Sequence, residues 1–315
     1  MKIAVTGGAG YIGSTLVKML ADKGHGVVSI DNLSLGDYSY LRSQGLGGRA
    51  EFVEGDIRDI ELLKRRFRGA DAVAHLAAIP GLVLCAERPE EAVSVNIYGT
   101  QTVLEAASRL GIRRVVFCSS AAVYGTPVKL PVTEEHRLRP LNLYGVTKLA
   151  GEKIMDTYFD SCGMETVNLR FGNVFGVGLY TRWSTVIPKF VRQGMEGQPL
   201  TIYGDGNSSR DFVHVEDICQ ALTLALTKEG VGGEAYNVGG EAISIGSLSK
   251  IVSTEVEKAT GRRVGVTHMP PRPGETREFS YNLRKIEECL GYRPGWDIEK
   301  GVIQLITYYR SQRPD

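Results

Sequence analysis

The sequence predicts an α/β protein built on a doubly wound parallel sheet. Three observations carry this. Short apolar runs rich in Val, Ile and Ala alternate with longer segments of helical periodicity. The first run ends directly on a glycine-rich turn, "TGGAGYIGSTL", that opens the first helix. The apolar runs do not alternate with polar residues, as expected of strands covered on both faces by crossover helices.

Taken in order, "KIAVT" is the first strand, and "STLVKMLADKG" is a helix that stops at Gly24. "GVVSID" and "AEFVEGD" are the next two strands, and "IELLKRRFRG" is a helix. "ADAVAHLAA" reads as a fourth strand, "EEAVSVNIYGTQTVLEAASRLG" as one long helix and "RRVVFCSS" as a fifth strand. A helix from about Tyr144 to about Ser161 and the strand "ETVNLRF" complete a sheet domain over residues 1–175. Beyond Phe171 the rhythm loosens into glycine-rich turns and shorter helices. Residues 176–315 are therefore expected to form mainly a smaller lobe over the carboxyl edge of the sheet, with some segments returning to the main domain.

Bulk properties narrow the function. Among 315 residues, 43% are hydrophobic and 23% charged, the balance of a globular chain with a real core. The 37 basic and 36 acidic side chains nearly cancel, so no basic field favours nucleic acid or an anionic membrane. No apolar run has the length of a membrane span. Five scattered cysteines form no CxxC pair, which suits a reduced, cytoplasmic protein. No metal site is expected.

The chemistry begins at the glycine turn. Gly7, Gly10 and Gly13, with Gly8, satisfy dinucleotide-binding spacings between a strand and a helix, where backbone can approach a pyrophosphate and the helix N-terminus favours its charge. Asp31 ends the second strand about twenty residues on, where a carboxylate accepts both ribose hydroxyls and repels a 2′-phosphate. That favours NAD over NADP. Asp56, in "GDIRD", follows the third strand, within reach of an adenine. Tyr144 and Lys148 are spaced i,i+4 on one helix face. A lysine ammonium beside a phenol stabilises the phenolate and makes it a usable base.

The motifs "TGGAGYIG", "DNLSLG", "HLAA", "SSAAVYG", "YGVTK" and "RDFVHVED" occur in the order seen in extended short-chain dehydrogenases/reductases, which the chain resembles over nearly its whole length. It is most similar to their nucleotide-sugar branch. The resemblance implies a Rossmann-type sheet with bound NAD. It implies that Tyr144 is the general base, that Lys148 holds the nicotinamide ribose and tunes Tyr144, and that Ser120 bonds the reacting sugar oxygen. The NAD contacts implied are Gly7, Gly10, Tyr11, Ile12, Gly13, Asp31, Asn32, Ser34, Gly36, Asp56, Ile57, Leu76, Ala77, Ala78 and Asn96, together with Tyr144 and Lys148. For a UDP-sugar substrate they are Ser120, Tyr124, Tyr144, Asn173, Val186, Tyr203, Arg210, Arg272, Glu275 and Phe279. Tyr124 is expected beside the sugar. Phe279 is expected to exclude a bulky C2 substituent, with a plain core aromatic as its alternative. His75 is expected to be a satisfied core histidine. A homodimer is implied, joined by a four-helix seam of the helix containing "VNIYGTQTVLEAASRL" and the helix starting at Tyr144.

Two features separate this chain from parts of that family. Many members carry a lysine after the "HxA" motif, where this chain has Ile79 and Pro80. The related 4,6-dehydratases carry Asp–Glu where this chain has Ala121 and Ala122, and the decarboxylases carry a glutamate at the second place. With two alanines, the loop orients a hydroxyl and does little else. The implied activity is interconversion of UDP-glucose and UDP-galactose by transient oxidation at C4, rotation of the 4-keto sugar and re-reduction. Two alternatives stay open: a 4-epimerase of UDP-glucuronate or of UDP-N-acetylhexosamines, and a non-catalytic NAD-binding protein of the same fold.

Overall fold

The computed structural model describes residues 1–46, 48–178, 181, 183–271 and 278–312. Its centre is a seven-stranded sheet, and every pairing in it is parallel. The chain enters through β1 (Lys2–Thr6) and α1 (Tyr11–Asp22), then β2 (Gly26–Asp31), the short α2 (Ser39–Ser43), β3 (Ala50–Glu54) and α3 (Ile60–Arg66). After β4 (Ala72–His75) come α4 (Gly81–Glu87), α5 (Pro89–Val93) and α6 (Thr100–Arg109). Next are β5 (Arg114–Ser120), α7 (Leu143–Cys162) and β6 (Glu165–Phe171). The doubly wound α/β class expected from the sequence is therefore the observed one.

Further along lie β7 (Asn173–Phe175), α8 (Val186–Met195), β8 (Leu200–Tyr203), β9 (Ser209–His214), α9 (Val215–Thr227) and β10 (Glu234–Val238). The described part ends with β11 (Glu241–Ser244), α10 (Ile245–Thr260), β12 (Val266–Met269), α11 (Arg284–Leu290) and α12 (Ile298–Ser311). The order across the sheet is β10-β6-β5-β4-β1-β2-β3. Strand order thus reverses between β1 and β4, and β10 returns from far down the chain to pair with β6.

Both sheet faces are covered. On one, Val5, Leu16, Leu20, Ile218 and Leu222 bring α1 and α9 onto the strands. On the other, Val28, Val73, Leu63, Val103, Leu104 and Met155 bring in α3, α6 and α7. This two-sided burial is why the strands read as unbroken apolar runs. A further apolar cluster holds α8, α10 and α12 together through Phe190, Val252, Leu305 and their neighbours. Beside it β7, β9 and β11 form a three-stranded sheet, and β8 pairs with β12.

The long helix expected over residues 90–111 is not uniform. Between α5 and α6 the turn at Ser94–Gly99 is π-helical. Such a widened turn is a local bulge that no periodicity announces. It buries Asn96, whose Oδ1 accepts the Ile79 amide (2.7 Å) and whose Nδ2 donates to the Ile79 carbonyl (3.1 Å) and to Thr147 Oγ1 (3.0 Å). One side chain thereby ties the chain after β4 to α7.

Returning chain is also fastened by polar groups. Tyr292, just past α11, is buried, and its hydroxyl donates to the Gly239 carbonyl (2.7 Å) beside the end of β10. Tyr292→Phe deletes that donor and leaves a buried carbonyl short of a partner. It should cost about 1–2 kcal/mol of stability, read as a lower urea midpoint at unchanged slope.

Candidate active site

At the reversal of strand order, the carboxyl ends of β1, β4 and β5 open a cleft of about 360 Å³. This is where doubly wound sheets bind ligands. Gly7, Gly10, Tyr11, Ile12 and Gly13 line one side, with Asp31, Asn32, Ser34 and Gly36 after β2 and Asp56 and Ile57 after β3. Leu76, Ala77 and Ala78 follow β4, and Ser120, Tyr144 and Lys148 complete the far end.

The glycines are demanded by contact. Gly7 has φ +73°, and a Cβ there would lie 2.6 Å from the Ala77 amide nitrogen. A Cβ on Gly13 would run into the backbone of Gly7 and Gly8. So α1 packs against the turn that precedes it. No side chain caps the start of α1, leaving that helix end suited to an anion. The Tyr11 hydroxyl reaches across to the Gly176 carbonyl (2.7 Å).

Asp31 closes this turn from the β2 side. Its Oδ2 accepts the Ala9 amide (3.0 Å) and its Oδ1 the Leu33 amide (2.9 Å). Burial raises its pKa, and the two backbone donors oppose the shift. Asp56 is held by Arg58, Oδ1 to Nε at 2.9 Å and Oδ2 to Nη2 at 2.5 Å, which keeps its carboxyl below the usual range.

The far end is built on α7. Asn142 caps this helix by accepting the Gly145 amide (2.9 Å), an interaction worth about 1 kcal/mol, and so fixes the turn that carries Tyr144. Lys148, one turn on, is almost fully buried. Its Nζ donates to the Cys118 carbonyl (2.7 Å) and lies 4.8 Å from the Phe117 ring and 5.9 Å from the Tyr144 ring. Burial pushes its pKa down to about 8. Ser120 ends β5, and its Oγ accepts the Ala122 amide (3.2 Å), starting the short 3₁₀ turn Ala121–Val123. His75 lies in the floor with Nδ1 2.8 Å from Thr6 Oγ1 and Nε2 2.9 Å from Thr100 Oγ1. Burial, then the Lys148 charge, lower its pKa to about 3, so it is a neutral strut.

Some expected site residues lie elsewhere. Asn96 does not line the cleft, because its amide is spent on Ile79 and Thr147; the neighbouring Val95 lines it instead. Tyr124 is not beside the cleft either. It is 1% exposed, its hydroxyl donates to Asn237 Oδ1 (2.6 Å) and accepts from Arg170 Nη1 (2.8 Å), and its ring packs with Phe279 and Tyr281. Phe279 is 7% exposed in that same aromatic cluster, so the core-aromatic alternative matches its position. Asn173, Val186, Tyr203 and Arg210 sit on β7, α8, β8 and β9, outside the lining of the cleft. Arg272 and Glu275 fall outside the described residues.

Sequence reasoning passed over Cys118, Ser119, Phe171 and Gly172, which also line the cleft. The strand ends "CSS" and "RF" were the only signal for them. The acceptor for Lys148 is a backbone carbonyl, which leaves no mark on a sequence.

A glycine turn closed by an acidic strand end, facing a Ser–Tyr–Lys set across one cleft, defines an NAD-binding protein of the dehydrogenase type. The chain belongs to the NAD dependent epimerase/dehydratase family, whose model matches residues 3–239. A UDP-glucose 4-epimerase from Mycolicibacterium smegmatis is 32% identical over 316 residues, covering 99% of each chain. Among solved structures, UDP-glucose 4-epimerase from Thermotoga maritima with UDP-glucose superposes with a TM-score of 0.90 at 31% identity, covering 99% of both chains. A UDP-glucuronic acid 4-epimerase from Bacillus cereus, in complex with UDP-glucuronic acid and NAD, superposes with a TM-score of 0.89 at 31% identity, covering 99% of this chain and 100% of that one. NAD is the cofactor, and the cleft fits it: the Gly7 and Gly13 contacts leave no room for side chains where a pyrophosphate must approach backbone.

The two later glycines separate folding from binding. A Cβ at Gly10 meets nothing closer than the Gly7 carbonyl oxygen at 3.4 Å, whereas one at Gly13 collides with backbone. Gly13→Ala should therefore lower the melting temperature of the NAD-free protein, by about 1–3 kcal/mol of overpacking. Gly10→Ala should leave that temperature nearly unchanged while weakening NAD binding by calorimetry.

Proposed function

We propose that this protein interconverts UDP-glucose and UDP-galactose by NAD-dependent epimerisation at C4. The observation that carries this reading is that Ser120, Tyr144 and Lys148 share one cleft while the next two loop positions are Ala121 and Ala122. Bound NAD supplies a reversible hydride acceptor for the sugar carbon. Tyr144 removes the proton of the 4-hydroxyl and later returns it. Lys148 stabilises the Tyr144 phenolate by its charge, and Ser120 bonds the reacting oxygen. Neither alanine offers an acid or base, so nothing in this loop removes water across C5 and C6. Epimerisation needs no such group: once the 4-keto sugar has turned its other face to the same cleft, re-reduction inverts C4.

Supporting roles follow the same reading. Asp31 selects NAD over NADP by accepting the ribose hydroxyls. Asn173, Arg210 and Arg272 hold the nucleotide diphosphate, because a diphosphate favours arginine forks and polar donors, and Glu275 accepts the uridine ribose hydroxyls. The protein works as a cytoplasmic homodimer. Exposed Val93 and Tyr98 beside α6, and Val146 on α7, support a seam through these helices, and all five cysteines are free thiols.

The direct test is incubation with UDP-glucose, UDP-galactose, UDP-glucuronate and UDP-N-acetylglucosamine without added reductant. The expected product is the C4 epimer of UDP-glucose or UDP-galactose, of unchanged mass. A product lighter by one water would overturn the reading, and turnover of only the acidic or acetylated sugar would replace its substrate. Tyr144→Phe should reduce kcat about 10²–10⁴-fold while NAD stays bound. Lys148→Met should move the acidic limb of the kcat/KM profile, on which Tyr144 must lose its proton, to higher pH, toward the ordinary tyrosine value of about 10, because the cation that favours phenolate is gone.

A further inference from the structure

Directly behind the Ser120 loop lies a buried ionic knot. Glu152 is 1% and Arg170 5% exposed. Arg170 grips the carboxylate with both ends of its fork, Nε to Oε1 at 2.9 Å and Nη2 to Oε2 at 2.7 Å. Ser119 Oγ donates to the same Oε1. The remaining Arg170 nitrogen, Nη1, donates to the Tyr124 hydroxyl (2.8 Å) and to the Glu134 carbonyl (3.1 Å). The knot therefore joins α7, the tip of β5, β6 and the chain that follows the 3₁₀ turn.

Its anchor points are the neighbours of the reacting groups. Ser119 immediately precedes Ser120, and side chains alternate along a strand, so Ser119 faces α7 when Ser120 faces the cleft. Glu152 lies one helical turn beyond Lys148 and two beyond Tyr144, on the same stripe of α7. Two constraints then relate β5 to α7: Lys148 on the Cys118 carbonyl, and Glu152 on the Ser119 hydroxyl. A buried ion pair adds little net stability over apolar residues of the same volume, so stability alone is a weak reason for this one. Alignment of reacting atoms, by contrast, is sensitive to shifts of about 1 Å.

We propose that the Ser119–Glu152 hydrogen bond, backed by Arg170, is a clasp that sets the separation of Ser120 from Tyr144. Ser119 and Glu152 are positioning residues. The inference rests on the catalytic roles given above to Ser120 and Tyr144, and it extends them to two groups whose side chains bond to each other.

Ser119→Ala opens the clasp while leaving the Glu152–Arg170 pair whole. Ser119→Thr keeps the hydroxyl. With rates normalised to bound NAD, Ser119→Ala should lower kcat for UDP-glucose about tenfold or more, with KM changed less than about twofold, as for an interaction that matters only in the transition state. Ser119→Thr should recover most of that loss. A Ser119→Ala kcat within about twofold of the natural protein overturns the clasp. If the natural protein turns over no UDP-glucose, the proposed function fails by itself, and amide hydrogen exchange without substrate decides the clasp instead. Exchange at residues 119–124 should then quicken in Ser119→Ala but not in Ser119→Thr, and equal exchange in all three overturns it. If Ser119→Ala does not fold, Glu152→Met combined with Arg170→Met removes the acceptor of the Ser119 hydroxyl and both buried charges together, and is read by the same criteria.

Discussion

Everything in this molecule hangs on the point where β1 pairs with β2 on one side and β4 on the other. Crossovers leave β1 in opposite directions there, so no helix covers the carboxyl ends of β1 and β4 and a crevice remains. The register Thr6↔His75 places a buried threonine and histidine side by side beneath that crevice. His75 bonds Thr6 on one side and Thr100 on the other, and Thr100 in turn donates to the Asn96 carbonyl. A neutral imidazole suits this place because one nitrogen donates and the other accepts. The floor of the cleft is thereby bolted to α6 without a buried charge.

From this floor the site is assembled by contacts between backbone and side chain. The glycine turn, the Asp31 carboxylate and the Ala77 amide meet because Gly7 and Gly13 lack side chains. At the opposite end the buried Lys148 donates a hydrogen bond to the Cys118 carbonyl, and that burial lowers its pKa. An ammonium so placed has its pKa lowered to about 8 and lies 5.9 Å from the Tyr144 ring. The cofactor end and the reacting end are built in opposite ways, one from absent side chains and the other from side chains held at both ends.

Buried polar residues carry the connections between these parts. Asn96 joins the chain after β4 to α7, and the Glu152–Arg170 pair joins α7 to β5 and β6. Tyr124 and Asn237 extend the second connection to β10, through the Asn237 side chain and its neighbours at Val132 and Glu134. In each case hydrogen bonds fix an orientation that apolar packing would leave free to slide.

Local regularities were legible in the amino-acid order because they come from short-range physics. Apolar runs marked the strands of a two-faced sheet, and helical periodicity located α7 to within one residue of its ends. The spacing of Gly7, Gly10 and Gly13, with Asp31 at a strand end, marked the NAD cleft, and the i,i+4 spacing of Tyr144 and Lys148 put both on one helix face. What only the tertiary structure decided depends on groups distant in the chain. The π turn at Ser94–Gly99 breaks the helical period without a local breaker, so Asn96 turned inward as an anchor where Val95 met the cleft. Tyr124 stands four residues after Ser120, yet Arg170 and Asn237 draw its hydroxyl into the core. Phe279 joins it there because the returning segment pairs Tyr281 with Val132 and seats its rings on Tyr124. Sequence spacing sets which face of an element a residue occupies, but the partner waiting on that face comes from another part of the chain.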